Sequence, residues 1–185
     1  MFLLGHTGFV AAPATALIKH RPNRTDDLRW LMAGTLLPDL VDKIIGQLLL
    51  KPRYENGRIY GHTVMFSSLL MVQGFKRLKK TGDRKALLLA AGVISHIALD
   101  NIWTTDPETA FWPLLGHFLK DPSLMSLREQ VTHVLKDPFF WESEIAGGIL
   151  LVLSLHSLGI RNGRDLARFI LRGERPALSQ PLPSH

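Results

Sequence analysis

The residues of this chain that could do chemistry are ionisable side chains set in apolar sequence. His6 lies in MFLLGHTGFVAA, Asp39 and Asp42 in GTLLPDLVDKIIG, His62 in YGHTVMF, His96 and Asp100 in AAGVISHIALDNIW, and Glu144 in FFWESEIAGGILLVL. Burying an ionised carboxylate without compensation costs on the order of several kcal/mol, so such residues are paired, hydrogen-bonded or bound to a metal. The sequence has no cysteine, which excludes a thiolate nucleophile, a disulfide framework and a Cys-type zinc site. A transition-metal site must therefore be built from His, Asp and Glu.

Spacing narrows the chemistry. His96 and Asp100 are an i, i+4 pair, so both side chains share one helix face and could reach one cation. The competing reading is an ordinary His–Asp pair that locks a helix interior. Asp39 and Asp42, i and i+3 after Pro38, compete in the same way with acids placed in a first helical turn to suit its dipole. His6 and His62 each sit in a Gly-His-Thr triplet. There the glycine allows close approach and the hydroxyl could support the imidazole, although either histidine alone reads equally as a satisfied core residue. Taken together, three histidines and two or three carboxylates on separate apolar helices match the needs of a hydrolytic zinc or mixed-metal cluster in a helical bundle.

The remaining candidates are weaker. His133, in THVLKDP, repeats the GHFLKDP around His117, and both pieces read as helix ends. His156 suits a helix C-terminus, and His20 and His185 read as solvated. Glu142 and Glu144 lie about 200° apart on a helix and cannot share a face. Glu144, which opens the apolar run 145–155, is the one expected to face inward, as a ligand, a contact of the cluster or a helix-end residue. Lys43 and Arg58 are candidates for holding an anion.

The elements that must position these residues read as helices, with no sustained alternating pattern. The expected fold is an all-α, compact multi-helix bundle with the metal site between helices. The expected organisation is a single domain over 1–172 with a disordered Pro- and Ser-rich tail at 173–185. A first helix is expected within His6 to Ile18, interrupted by Pro13, and a second from Asp26 or Asp27 to a break at Pro38. An apolar stretch Asp39 to Leu50 and a loop 51–61 follow. Two long helices are expected over 62–80 and 84–102, then a loop over 104–112 beside the cluster. That loop, with Trp103 just before it and Phe111 and Trp112 within it, could form a lid or simply close the core. A Ser126/Glu129 capping box predicts a helix to Lys136. Asp137 and Pro138 predict the start of a long final helix, ended by Asn162 and Gly163.

The composition is 46% hydrophobic and 21% charged, with a net charge of +6 and a pI near 9.9, which excludes an intrinsically disordered chain. The basic clusters, Lys19 to Arg24, Lys76 to Lys80 and Arg161 to Arg175, flank apolar segments and lack interleaved aromatics. They favour a membrane-facing or solvated rim over a nucleic-acid groove. The longest run free of Asp, Glu, Lys and Arg, Ile145 to Ile160, is shorter than the ~20 residues a bilayer crossing needs, and reads as a core helix or a half-inserted segment. The start of the chain lacks the pattern of a secretory signal peptide, so the expected location is cytoplasmic or associated with the inner membrane. Phosphate-loop, dinucleotide and serine-elbow patterns are absent.

Read in order, GHT at 5–7, LLPDLVD at 36–42, GHT at 61–63 and SHIALD at 95–100 resemble the bacterial metal-dependent hydrolases often labelled inner-membrane hydrolases. They are also similar to the zinc-dependent phospholipase C helical fold. The resemblance implies His6, Asp39, His62, His96 and Asp100 as ligands of one or two zinc or other divalent ions. It also implies Asp39 or Asp100 as the catalytic carboxylate that bridges ions or orients a water. The later His-x-x-x-Glu of the phospholipase pattern is missing, and only His117 with Asp121, His133 with Asp137, or Glu144 could stand in for it; Asp42, Glu144 and His133 are the additional candidates for the site. The implied activity is hydrolysis of a small-molecule or lipid phosphoester by a metal-activated water, with a membrane surface as a further partner. The alternative is a membrane-associated protein with a structural metal site and no turnover.

Overall fold

A computed structural model describes residues 3–18, 25–45, 58–118, 132, 135–174 and 176. The described residues form an all-α fold. Its helices are α1 (Leu3–Ile18), α2 (Thr25–Asp42), α3 (Val64–Thr81), α4 (Lys85–Leu99), the short α5 (Ile102–Thr105) and α6 (Pro107–Ala110), α7 (Pro138–Ser157) and α8 (Gly163–Arg172). A 3-10 turn, Tyr60–His62, precedes α3.

Several boundaries differ from the sequence reading. Pro13 lies inside a continuous α1 and Pro38 inside α2, since packing of both helices against their neighbours outweighs the single hydrogen bond each proline removes. Asp39 and Asp42 therefore occupy the last turn of α2, not the first turn of a new helix, and residues 43–45 continue it as a π turn. The 104–112 segment takes in the end of α5 and all of α6 and is not an unstructured loop. Asn162 does not end the final helix but caps the next, accepting from the Asp165 N–H at the start of α8. The expected start at Asp137 and Pro138 is present, with the Asp137 carboxylate accepting from Phe139 N–H. The capping-box helix over 126–136, the loop over 51–57 and nearly all of the tail fall outside the described residues.

Two crossings set the architecture. α1 runs parallel to α7 at backbone contact distance, since a Cβ on Gly147 would meet the Leu4 carbonyl oxygen and the Gly5 Cα. α2 packs as closely on α4, with Gly34 against Gly92. At one end Leu28, Ala11, Leu158, Ile160 and Phe169 form a core that joins the start of α2 to the α7–α8 turn. Arg84 pairs with Asp27 at the same end (2.6 Å). The other end gathers the start of α1, the end of α2, the 3-10 turn and the end of α4. By length and composition α7 could cross a membrane, and only 22% of its apolar window is buried in the bundle. Of the two readings its sequence allows, a core helix or a half-inserted segment, the exposed surface of α7 excludes the enclosed core helix.

Candidate functional site

His62 is placed by a short, fully determined piece of chain. Its Nδ1 lies 2.6 Å from Oδ2 of Asp42, and the Asp42 carboxylate also accepts from Ile59 N–H (2.7 Å) and Gly61 N–H (2.6 Å). Both residues are fully buried. Gly61 is required here because a Cβ would lie 2.6 Å from the Pro38 carbonyl oxygen and 3.0 Å from Asp42 Oδ1. A carboxylate that already accepts two backbone N–H groups accepts a third proton from His62 Nδ1, which leaves the lone pair on Nε2.

His96 is fixed in the same sense by a different partner. Its Nδ1 lies 2.7 Å from the Thr35 carbonyl oxygen, an acceptor only, so Nδ1 carries the proton and Nε2 the lone pair. The two Nε2 atoms are 3.1 Å apart. Two lone pairs at that distance repel unless a proton or a metal ion lies against them. Two nitrogens on one tetrahedral zinc, with bonds of ~2.0–2.1 Å, are separated by about 3.3 Å.

Carboxylates complete the set. Asp39 Oδ1 lies 3.7 Å from His62 Nε2 and 3.9 Å from His96 Nε2. Asp100 Oδ2 lies 3.8 Å from His96 Nε2 and 4.0 Å from His62 Nε2. His6 stacks on His96 with centroids 3.9 Å apart, and its Nε2 is 3.0 Å from Asp100 Oδ1. One potential donor atom from each of His6, His96 and Asp100 lies within 4.8 Å of the others, as for Asp39, His62 and His96. The five residues named for the cluster thus converge from α1, α2, the 3-10 turn and α4.

The electrostatics favour a cation. Asp39 and Asp42 sit at the negative end of the α2 dipole, where carboxylates are disfavoured without positive charge nearby. Arg58 Nη2 lies 3.1 Å from Asp100 Oδ2, with its guanidinium partly exposed. Burial alone would raise the Asp100 carboxyl, but the His6 hydrogen bond and the Arg58 charge outweigh it and hold Asp100 well below the usual carboxylate range. The five side chains of the cluster are buried, except that Asp39 remains one-third exposed and Lys43 stands 3.7 Å from it. Asp39 is the point of the cluster that meets solvent.

The additional candidates have other positions. Asp42 faces the far nitrogen of His62 and orients it. Glu144 is buried and Glu142 exposed, as the helical wheel predicts, but Glu144 accepts from the N–H groups of Leu4 (2.9 Å) and Gly5 (3.0 Å). It therefore binds the start of α1, just before His6, from across the α1–α7 contact. His133 lies outside the described residues. The Gly-His-Thr threonines do not support their histidines: Thr7 Oγ1 donates to the Leu3 carbonyl and Thr63 caps α3. Trp112 turns back onto Tyr60 (5.2 Å) beside the 3-10 turn, while Trp103 and Phe111 stay exposed. Sequence reasoning missed the Thr35 carbonyl and the Arg58–Asp100 pair, because a backbone acceptor and a residue in a Pro/Gly-rich loop carry no pattern of their own.

No curated protein and no solved structure matches the chain. The family model described as YdjM inner membrane protein matches residues 1–163. An inner-membrane family agrees with the long apolar α7, most of which the bundle leaves uncovered. The chain belongs to the YdjM inner membrane protein family.

Proposed function

We infer that the cluster holds one or two zinc-type divalent ions and that the protein is a metal-dependent hydrolase of a phosphoester, with a phospholipid as the candidate substrate. The observation that carries the reading is the 3.1 Å approach of His62 Nε2 to His96 Nε2, with each Nδ1 committed elsewhere. His6, Asp39, His62, His96 and Asp100 are the residues to hold the metal. All offer nitrogen or oxygen, the donor set of hydrolytic zinc and mixed-metal sites.

When bound, the metal supplies Lewis acidity and lowers the pKa of a coordinated water toward ~7. The chain's own groups account for the rest. Asp39, the exposed carboxylate, takes the proton from the attacking water. Asp42 and the Thr35 carbonyl hold His62 and His96 in one tautomer. Arg58, partly exposed beside Asp100, and Lys43, beside Asp39, attract the anionic substrate at the open side. Trp103, Phe111 and Trp112, immediately downstream of Asp100, offer apolar surface to a lipid-like substrate.

The test is elemental analysis of untagged protein purified in detergent, followed by a panel of phosphomonoester, phosphodiester and phospholipid substrates. Stoichiometric metal with metal-dependent turnover is expected. Stoichiometric metal without turnover on any substrate would favour a structural site, and protein that takes up no added zinc, manganese or nickel would exclude both.

A further inference from the structure

We propose that the protein sits across the inner membrane with its basic end in the cytoplasm, so that the His–Asp cluster opens toward the periplasmic side. The inference needs the membrane family and the bundle's polarity, and does not depend on metal binding or turnover.

The bundle has two chemically different ends. Glu144, in the first turns of α7, is bonded to Leu4 and Gly5, next to His6. The cluster is therefore level with the start of α7, together with Asp39, Asp42 and Asp100 at the ends of α2 and α4. The opposite end carries the hairpin between α3 and α4, with Lys76, Arg77, Lys79, Lys80, Arg84 and Lys85, and the amphipathic α8 with Arg164, Arg168 and Arg172. That these lie together is fixed by the Arg84–Asp27 pair and by Arg29 Nη1 donating to the Ile170 carbonyl (2.9 Å). In the sequence, Lys19, Arg21 and Arg24 fall between α1 and α2. The cluster end is less basic: among the described residues it carries Lys43, Arg58 and Lys136, and residues 86–119, which run from α4 past the cluster, contain no Lys or Arg, although Lys51, Arg53, Lys120 and Arg128 also occur in the sequence between these elements.

Between the two ends the outer surface is apolar. α3 exposes Val64, Met65, Leu69, Val72 and Phe75 before its lysines begin. α7 exposes Ile145, Ile149, Val152 and Leu153, which with Leu4 and Trp141 line an open groove of about 450 Å³. An uncovered face of this length in an inner-membrane protein has lipid as its partner. From Phe139 to Leu153 it spans about 21 Å at 1.5 Å per residue, short of the ~30 Å hydrocarbon core. Interfacial side chains make up the difference, with arginines able to snorkel on one side and Trp103 and Trp141 suited to the other. Lys and Arg near the ends of membrane helices are retained in the cytoplasm, and this bias sets the orientation. Here α4 and α7 give the same answer, since the basic residues follow the end of α7 and precede the start of α4.

The chain has no cysteine, so single-cysteine variants of this chain can be tested in its own membrane. Thr104→Cys and Lys136→Cys report the cluster end, and Lys80→Cys and Ala167→Cys the basic end; all four positions are exposed. Intact cells are treated with a small membrane-impermeant maleimide, and a second sample is treated after detergent lysis. Positions 104 and 136 are expected to react in intact cells, and 80 and 167 only after lysis. The reverse pattern, or all four behaving alike, would overturn the orientation. Release of the unmodified protein from membranes by alkaline carbonate would overturn the crossing itself. Two positions per end guard against one variant that misfolds, and reaction of all four after lysis shows that each thiol is present. A metal-free protein that labelled in the expected pattern would remove the proposed function and leave the orientation standing.

Discussion

Asp42 and His62 form a fully buried carboxylate–imidazole pair, Oδ2 to Nδ1 at 2.6 Å, in which the carboxylate also receives two backbone N–H groups. The pair makes Asp42 the residue that decides which nitrogen of His62 faces the cluster. An asparagine there has one acceptor for three donors and an NH2 that favours the wrong tautomer. Asp42→Asn is expected to weaken metal binding by about 10- to 100-fold, as loss of an orienting partner does. Competition with a calibrated chelator measures it, and an unchanged affinity would show that the pair does not set the tautomer.

Asp39 differs from the other cluster acids in being one-third exposed. Asp39→Asn is therefore expected to leave the thermal transition nearly unchanged, within about 0.5 kcal/mol, while slowing hydrolysis by about 10²- to 10⁴-fold. Turnover and unfolding are to be measured on the same preparation. Equal loss of stability and activity would place Asp39 in the structural framework.

Glu144 tests whether the second half of the chain touches the cluster directly. Its two oxygens hold the first N–H groups of α1, a contact that also places negative charge at a helix N-terminus. Glu144→Gln keeps one acceptor and loses the charge. The variant is expected to lose about 1–2 kcal/mol of stability and to keep its metal stoichiometry. Loss of metal in a variant that remains folded would instead make Glu144 a ligand.

The parallel contact of α1 with α7 leaves no room for a side chain at Gly147. Gly147→Ala is expected to force the helices apart and destabilise the protein by about 1–3 kcal/mol, with weaker metal binding because His6 rides on α1. Gly163→Ala, where a Cβ meets nothing within 4 Å, serves as the comparison and is expected to stay near wild type.

Much of the cluster was legible because burial of charge leaves a trace in sequence: His6, Asp39, His62, His96 and Asp100 each interrupt an apolar run. What composition could not supply was direction. Asp39 and Asp42, three apart on α2, address opposite sides of His62, one its Nε2 and one its Nδ1. Pro38 gave the wrong boundary because a residue-level rule about helices was overridden by packing. The Asn-Gly at 162–163 reads in sequence as a helix end but is a helix beginning, since asparagine caps helix starts as readily as it closes turns. Glu144 could be assigned inward from the helical period, but its partners are backbone amides at the far end of the chain, which no side-chain pattern announces.

The Glu144 contact also has a consequence for the order of assembly. All five residues of the cluster are translated by residue 100, yet the carboxylate that anchors the start of α1 emerges from the ribosome only with α7. A growing chain thus possesses every donor atom before it possesses the clasp that holds His6 beside Asp100. Firm capture of a metal ion is therefore expected to be a late event, coincident with insertion of α7, and ribosome-stalled chains ending before and after α7 should differ in the metal they retain.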